Sequence, residues 1–396
     1  MPFEPGAVSA EGTIPLSVPE IKGNEWKYVK ECLDTNWVSS VGPFVSRFEQ
    51  MLAEYVDAKH AVATVNGTAA LHVALLVSGI KPEEEVLVPA LTFIAPANAV
   101  RYAGAWPVFI DVEPEHWQLD PQKVRDFIDQ QCHSTEGKLI NKSSGRRIHA
   151  ILPVHVLGHP CDMDALFKIA REFELAVVED ATECLGAKYK NRKVGSESDV
   201  ACFSFNGNKI ITTGGGGMIV TSNPEWAERA RYLTTQAKDD PFAYVHNEVG
   251  FNYRLTNIQA AIGCAQMEQL ERFVDRKREI AATYDRELQN VSGISFMKEA
   301  SWALSTSWLY TVLIDERKYG LDSRALLERL NQNGIQSRPL WQPMHRSPAH
   351  KDSQSFNVRV ADALHRDGVS LPCSVGLTDV DQARVISTIR RYQTTR

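Results

Sequence analysis

Between about residue 60 and residue 235 the chain alternates short, wholly apolar, β-rich runs with stretches whose apolar residues recur at helical spacing. No other feature restricts the fold as much. The runs fall at 61–65, 86–89, 107–110, 148–154, 175–179, 200–205 and 218–221, and helical patterns lie between them at 68–78, 93–103, 121–130 and 163–173. A strand that is apolar throughout must be covered on both faces, so these runs belong to a buried, mostly parallel sheet whose crossovers are the helices. The expected class is therefore α/β, with helices on both faces of one central sheet. In such sheets ligands gather beyond the carboxyl ends of the strands, and that is where chemistry has to be sought.

From Asn257 the pattern changes. Ile258, Ile262, Met267, Leu270, Phe273, Ile280, Tyr284 and Leu288 recur at helical intervals, as one long helix or a kinked pair reaching about Asn290. A smaller α+β pattern follows, with a strand near 308–314, a helix near 323–333 and a strand near 334–338. The final helix opens on a capping box, Thr378 with Asp381. The chain accordingly divides into an N-terminal arm (1–25), a large domain (26–256) and a small C-terminal α+β domain (257–396). The first dozen residues are expected to be dispensable.

The net charge of −6 argues against a nucleic-acid partner, although a few basic residues suffice for a diphosphate. Seven cysteines, odd in number and without CxxC spacing, suggest free thiols in a reducing cytoplasm rather than disulfides or a metal site. The first residues lack the basic start and apolar core of a signal peptide. The apolar stretch 86–100 is interrupted by Pro89, Thr92, Pro96 and Asn98, so no membrane span is expected there. A cytoplasmic protein is the resulting expectation.

Candidate chemistry centres on Lys209, in Ser204-Phe205-Asn206-Gly207-Asn208-Lys209, just ahead of four consecutive glycines (214–217). A lysine buried at such a place is costly unless its amine is used, and the obvious use is a Schiff base with an aldehyde. Asp180, at the end of a predicted buried strand, can pair with a protonated pyridine nitrogen and so keep a pyridoxal ring an electron sink. Glu183 can meet the phenolic oxygen of that ring. In Asn66-Gly67-Thr68, the amides of Gly67 and Thr68 open a helix and suit a phosphate. Neither the P-loop nor the Rossmann glycine pattern is present. Phe93 can stack on a ring, and His155 can be a second donor or a substrate contact. Each residue alone has an ordinary reading: a surface lysine, helix caps, a glycine turn, a core phenylalanine and a core histidine. Together they form one site.

With these residues in order, the chain resembles the nucleotide-sugar aminotransferases of the fold-type I, PLP-dependent class, from Ile14-Pro15-Leu16-Ser17 almost to the C-terminus. The resemblance runs through Asn66-Gly67-Thr68-Ala69-Ala70-Leu71, Pro153-Val154-His155, Glu179-Asp180-Ala181, Ser204-Phe205 with Lys209, and Phe251-Asn252-Tyr253-Arg254-Leu255. It implies Lys209 as the lysine that holds pyridoxal 5'-phosphate and carries the proton, and Asp180 as the partner of the pyridine nitrogen. Glu183, where many relatives carry glutamine, takes the position facing the phenolic oxygen, and Phe93 that of the stacking aromatic. Gly67, Thr68 and Ser204 are implied as the phosphate cradle. Asn252 is implied to reach the phosphate across a homodimer whose subunits share their active sites. Arg338 and His345 are candidates for the nucleotide diphosphate.

The implied reaction is ping-pong transfer from L-glutamate, leaving pyridoxamine phosphate and 2-oxoglutarate, and then to a nucleotide-linked keto sugar. Lysine at 209, where sugar dehydratases of the family carry histidine, favours amination. The segment Asn206-Gly207-Asn208 and Gly334-Ile335-Gln336-Ser337-Arg338 place a UDP-linked 4-keto-6-deoxy-N-acetylhexosamine of the bacillosamine type first. GDP- or TDP-linked 4-keto-6-deoxy sugars of the perosamine type are the alternative, and a non-catalytic PLP-binding regulator is the alternative of another class.

Overall fold

Each apolar run becomes a strand of one sheet. In the computed structural model, which describes residues 12–240 and 242–393, the strands are β1 (His60–Thr64), β2 (Glu85–Pro89), β3 (Trp106–Ile110), β4 (Ile148–Ile151), β5 (Ala176–Asp180), β6 (Val200–Ser204) and β7 (Gly217–Thr221). Residues 1–11, most of the stretch expected to be dispensable, lie outside the described residues. Further along come β8 (Ile294–Phe296), β9 (Tyr310–Ile314), β10 (Arg338–Pro339), β11 (Ser355–Phe356) and β12 (Gly368–Leu371). The large sheet runs β1-β7-β6-β5-β4-β2-β3-β11, and β7 alone is antiparallel to its neighbours. The mostly parallel α/β class is thus as the alternation requires.

Side chains along a strand point alternately to opposite faces, and here the faces are two apolar layers. Val86, Val88, Phe109 and Val178 enter one, whereas Leu87, Val108, Ile110 and Val177 enter the other. Helix α1 (Gly67–Val77) covers the first layer with Leu71, Val73 and Leu75. Helices α2 (Pro121–Gln131) and α3 (Met163–Glu172) cover the second with Phe127 and Leu166. Removing a side chain such as fully buried Phe127 from water contributes about 1.5–3 kcal/mol.

The helical repeat after Asn257 resolves into a pair, α4 (Asn257–Met267) and α5 (Leu270–Leu288). Thr256 and Gln259 start the first with a reciprocal capping box. The box expected at Thr378 is only half formed. The Asp381 amide donates to the Thr378 hydroxyl, while the Asp381 carboxylate accepts from that hydroxyl rather than from the backbone. A second sheet, β8-β9-β12-β10, is antiparallel throughout.

Two segments differ from expectation. The strand read at 334–338 reduces to β10, because only Arg338 and Pro339 meet β12, while Ile335 forms a single bridge to Ile14. Strand β11 has no counterpart in the sequence pattern and adds itself to the open edge of β3. All seven cysteines are buried and unpaired. Among the described residues no helix is long and apolar enough to cross a membrane.

Candidate active site

The carboxyl ends of the parallel strands carry the predicted residues to one place. Asp180 is the last residue of β5 and Ser204 the last of β6. Asn66 follows β1 and caps α1, its Oδ1 accepting the Ala69 amide at 2.7 Å. Among the described residues the amides of Gly67 and Thr68 have no acceptor, so the helix start presents two open donors. Gly67 is required by close approach: a Cβ there would lie 2.8 Å from Ser204 Cβ and 3.2 Å from Thr182 Cγ2. A cavity of about 400 Å³ opens above these ends, lined by Gly67, Thr68, Phe93, Asp180, Glu183, Ser204, Lys209 and Arg338.

Lys209 reaches this cavity from a turn in which its amide donates to Asn206 O at 3.0 Å. Its Nζ stands 3.5 Å from Glu183 Oε1. Asp180 is buried, and its Oδ1 accepts the Thr182 amide at 3.0 Å. Burial pushes the Asp180 carboxyl above the ordinary range, and hydrogen bonds from Thr182 and the charge of Lys209 pull it back. Burial likewise pushes Glu183 up to about 7, against the opposing pull of Lys209 and the Leu157 amide.

Three predicted residues are not in the cavity lining. His155 lies fully buried behind it. Its Nδ1 accepts the Cys161 amide at 3.0 Å and must therefore be bare, so the ring is the tautomer whose Nε2–H donates to Glu179 Oε1 at 2.9 Å. His345 pairs with Asp362, Nε2 to Oδ1 at 3.1 Å. Asn252 is exposed, in a single bridge to Thr235.

The strap that follows β4 carries backbone strain. Leu157 adopts φ +60°, ψ 15°, and Gly158 follows at φ +91°. A leucine in the left-handed region costs about 1–3 kcal/mol and persists only where its surroundings hold it. Glu183 is one such hold, because its Oε2 accepts the Leu157 amide at 2.9 Å. A Cβ at Gly158 would overlap Thr306 Oγ1 and lie 2.9 Å from the Trp308 amide nitrogen. Gly158→Ala is therefore expected to lower unfolding free energy by about 2–4 kcal/mol, combining left-handed strain with overpacking. Urea denaturation checks this; a midpoint equal to that of the unaltered chain would contradict it.

Sequence reasoning missed Trp308 as part of the site. Its ring centre lies 4.0 Å from Lys209 Nζ, and its indole N–H donates to Asn208 O at 2.7 Å. It also stacks on Trp341 at 6.2 Å between ring centres. An aromatic residue just ahead of β9 is visible in the sequence, but nothing there says that it faces the other sheet.

A buried aspartate, an amine, two open helix-start amides and a hydroxyl packed on glycine fit pyridoxal phosphate. They supply a partner for a pyridine nitrogen, an amine for the aldehyde and donors for the phosphate. Fold and site together define a fold-type I, PLP-dependent transferase. The chain belongs to the DegT/DnrJ/EryC1/StrS aminotransferase family, which matches residues 19–390.

It is 41% identical over 379 residues to a GDP-perosamine synthase of Caulobacter vibrioides, covering 95% of this chain and 97% of that one. It is 37% identical to a GDP-perosamine synthase of Escherichia coli O157:H7, covering 96% and 98%. Among solved structures, DesV of S. venezuelae superposes with a TM-score of 0.84 at 33% identity, covering 94% of this chain and 95% of that one. The chain is a PLP-dependent sugar aminotransferase.

Proposed function

We propose that the enzyme transfers the amino group of L-glutamate to the 4-keto carbon of a GDP-linked 4-keto-6-deoxy sugar, in the manner of perosamine formation. The observation that carries the nucleotide is 41% identity along 95% of the chain to a protein named GDP-perosamine synthase. It reverses the order reached from the motifs around Lys209 and Arg338, which put the UDP-linked N-acetyl sugar first. Those short segments border the site without specifying the base.

When bound, pyridoxal phosphate supplies an aldehyde and a ring that draws electrons from the carbon beside the transferred nitrogen. Lys209 would hold that aldehyde through Nζ and, with that amine free, would carry the proton at the donor's α-carbon and, in reverse, at the sugar carbon. Asp180, buried and acceptor-only when ionised, keeps a proton on the ring nitrogen. The Gly67 and Thr68 amides and the Ser204 hydroxyl bind the phosphate, and Phe93 covers the ring. Arg338, on the cavity wall, suits the diphosphate. Asn252, exposed and outside this chain's cavity, serves the phosphate of a second copy in a homodimer with shared sites.

The test offers purified enzyme and L-glutamate a panel of GDP-, TDP- and UDP-linked 4-keto-6-deoxy sugars, with products identified by mass spectrometry and NMR. A 4-amino product from the GDP sugar is expected. Amination of the UDP-linked N-acetyl sugar alone would overturn the proposal.

A further inference from the structure

Glu183 has its two carboxylate oxygens committed to different tasks. Oε2 accepts the amide of strained Leu157 at 2.9 Å, so only Oε1 is left towards the cavity, 3.5 Å from Lys209 Nζ. The side chain is buried, 4% exposed, at the cavity wall. Besides the Leu157 amide, which favours the carboxylate, the titratable groups that bear on its charge are Lys209 from the turn after β6, Asp180 from the end of β5 and the neighbouring Cys184 thiol. Of these Lys209 alone favours the carboxylate.

Pyridoxal phosphate carries its phenolic oxygen on the ring carbon next to the one that bears the aldehyde. An aldehyde joined to Lys209 therefore brings that oxygen beside the lysine nitrogen, and so against Oε1. Two anionic oxygens in contact at a buried side chain repel strongly, and one of them must take a proton.

We propose that Glu183 enters the cofactor-loaded site as the carboxylic acid, its Oε1–H donating to the phenolic oxygen while Oε2 keeps the Leu157 amide. The proton comes from solvent as the cofactor binds. In the empty protein Glu183 is already poised near neutrality, so little is needed to fill it. Glutamine in its place would be a permanent donor of the same shape, able to hold both contacts without a proton.

The direction of the pH effect follows from linkage. A proton held in the loaded state but not in the empty one makes cofactor affinity fall as pH rises. The fall approaches tenfold per unit above about pH 7. The proposal rests on Lys209 being the lysine that takes the aldehyde, which the spectrum of Lys209→Ala tests separately.

Calorimetric titration of the cofactor-free protein with pyridoxal phosphate, at about pH 8 in two buffers of different ionisation enthalpy, counts the protons taken up. The unaltered enzyme is expected to take up about one proton more than Glu183→Gln, and the affinity of the variant is expected to lack the alkaline fall. Equal proton counts would overturn the proposal. Infrared difference spectra of the unaltered enzyme labelled with 13C-glutamate give a second reading that needs no variant. A protonated-carboxyl band is expected on cofactor addition, and its absence would equally overturn the idea.

Discussion

Lys209→Ala is expected to abolish the visible absorbance that pyridoxal phosphate gives on binding, and to lower amination by on the order of 10⁴-fold or more. Both losses trace to one atom. Lys209 Nζ is the amine that lines the cavity. Glu183 Oε1 stands 3.5 Å from it and the Trp308 ring centre 4.0 Å. Absorbance spectroscopy with added cofactor and a product assay check the two losses separately. A persistent cofactor chromophore in the variant would remove Lys209 from its assigned place.

The second large effect belongs to Asp180. Asp180→Asn keeps the size of the side chain and can still accept the Thr182 amide, which Oδ1 takes at 3.0 Å. It loses the negative charge that holds a proton on the ring nitrogen. Cofactor binding is expected to survive in weakened form, while the rate of amination falls on the order of 10²–10³-fold, as when one preorganised electrostatic contact is removed. Single-turnover kinetics with L-glutamate measure this. A variant that binds cofactor and turns over at the original rate would refute the role. Because burial holds the Asp180 carboxyl above the ordinary range, the unaltered enzyme loses this charge as pH falls, and the gap between it and Asp180→Asn is expected to narrow towards acid pH.

Much of this site was legible because its parts sit where local pattern is strongest. Asp180 and Ser204 terminate apolar runs, and Gly67 stands between a strand and a helix. Such positions are set by period and by turn chemistry, both of which are written in neighbouring residues. The parts that escaped depend on distant partners. Trp308 lies ahead of β9 in the second sheet, yet its ring reaches Lys209. His345 is a basic residue near the cavity in sequence terms, but Asp362 of a later helix holds it elsewhere. Strand β10 is two residues long because β12 is its only ladder, and no local rule could set that length. The left-handed backbone of Leu157, just past the run 148–154, was not readable, because the carboxylate that holds it is Glu183, from the next connection.

Strand β11 has a consequence for how the chain must be made. The row of unpaired amides and carbonyls along β3 would be a template for another chain until Ser355 and Phe356 arrive to pair with it. Those residues are synthesised long after β3 itself. A growing or truncated chain therefore carries an adhesive border, with the apolar layers of the largest sheet directly behind it. Protection against self-association is thus deferred until a segment far downstream of the edge has been made. Fragments that stop short of residue 355 are poor choices for expression, however complete their cofactor site.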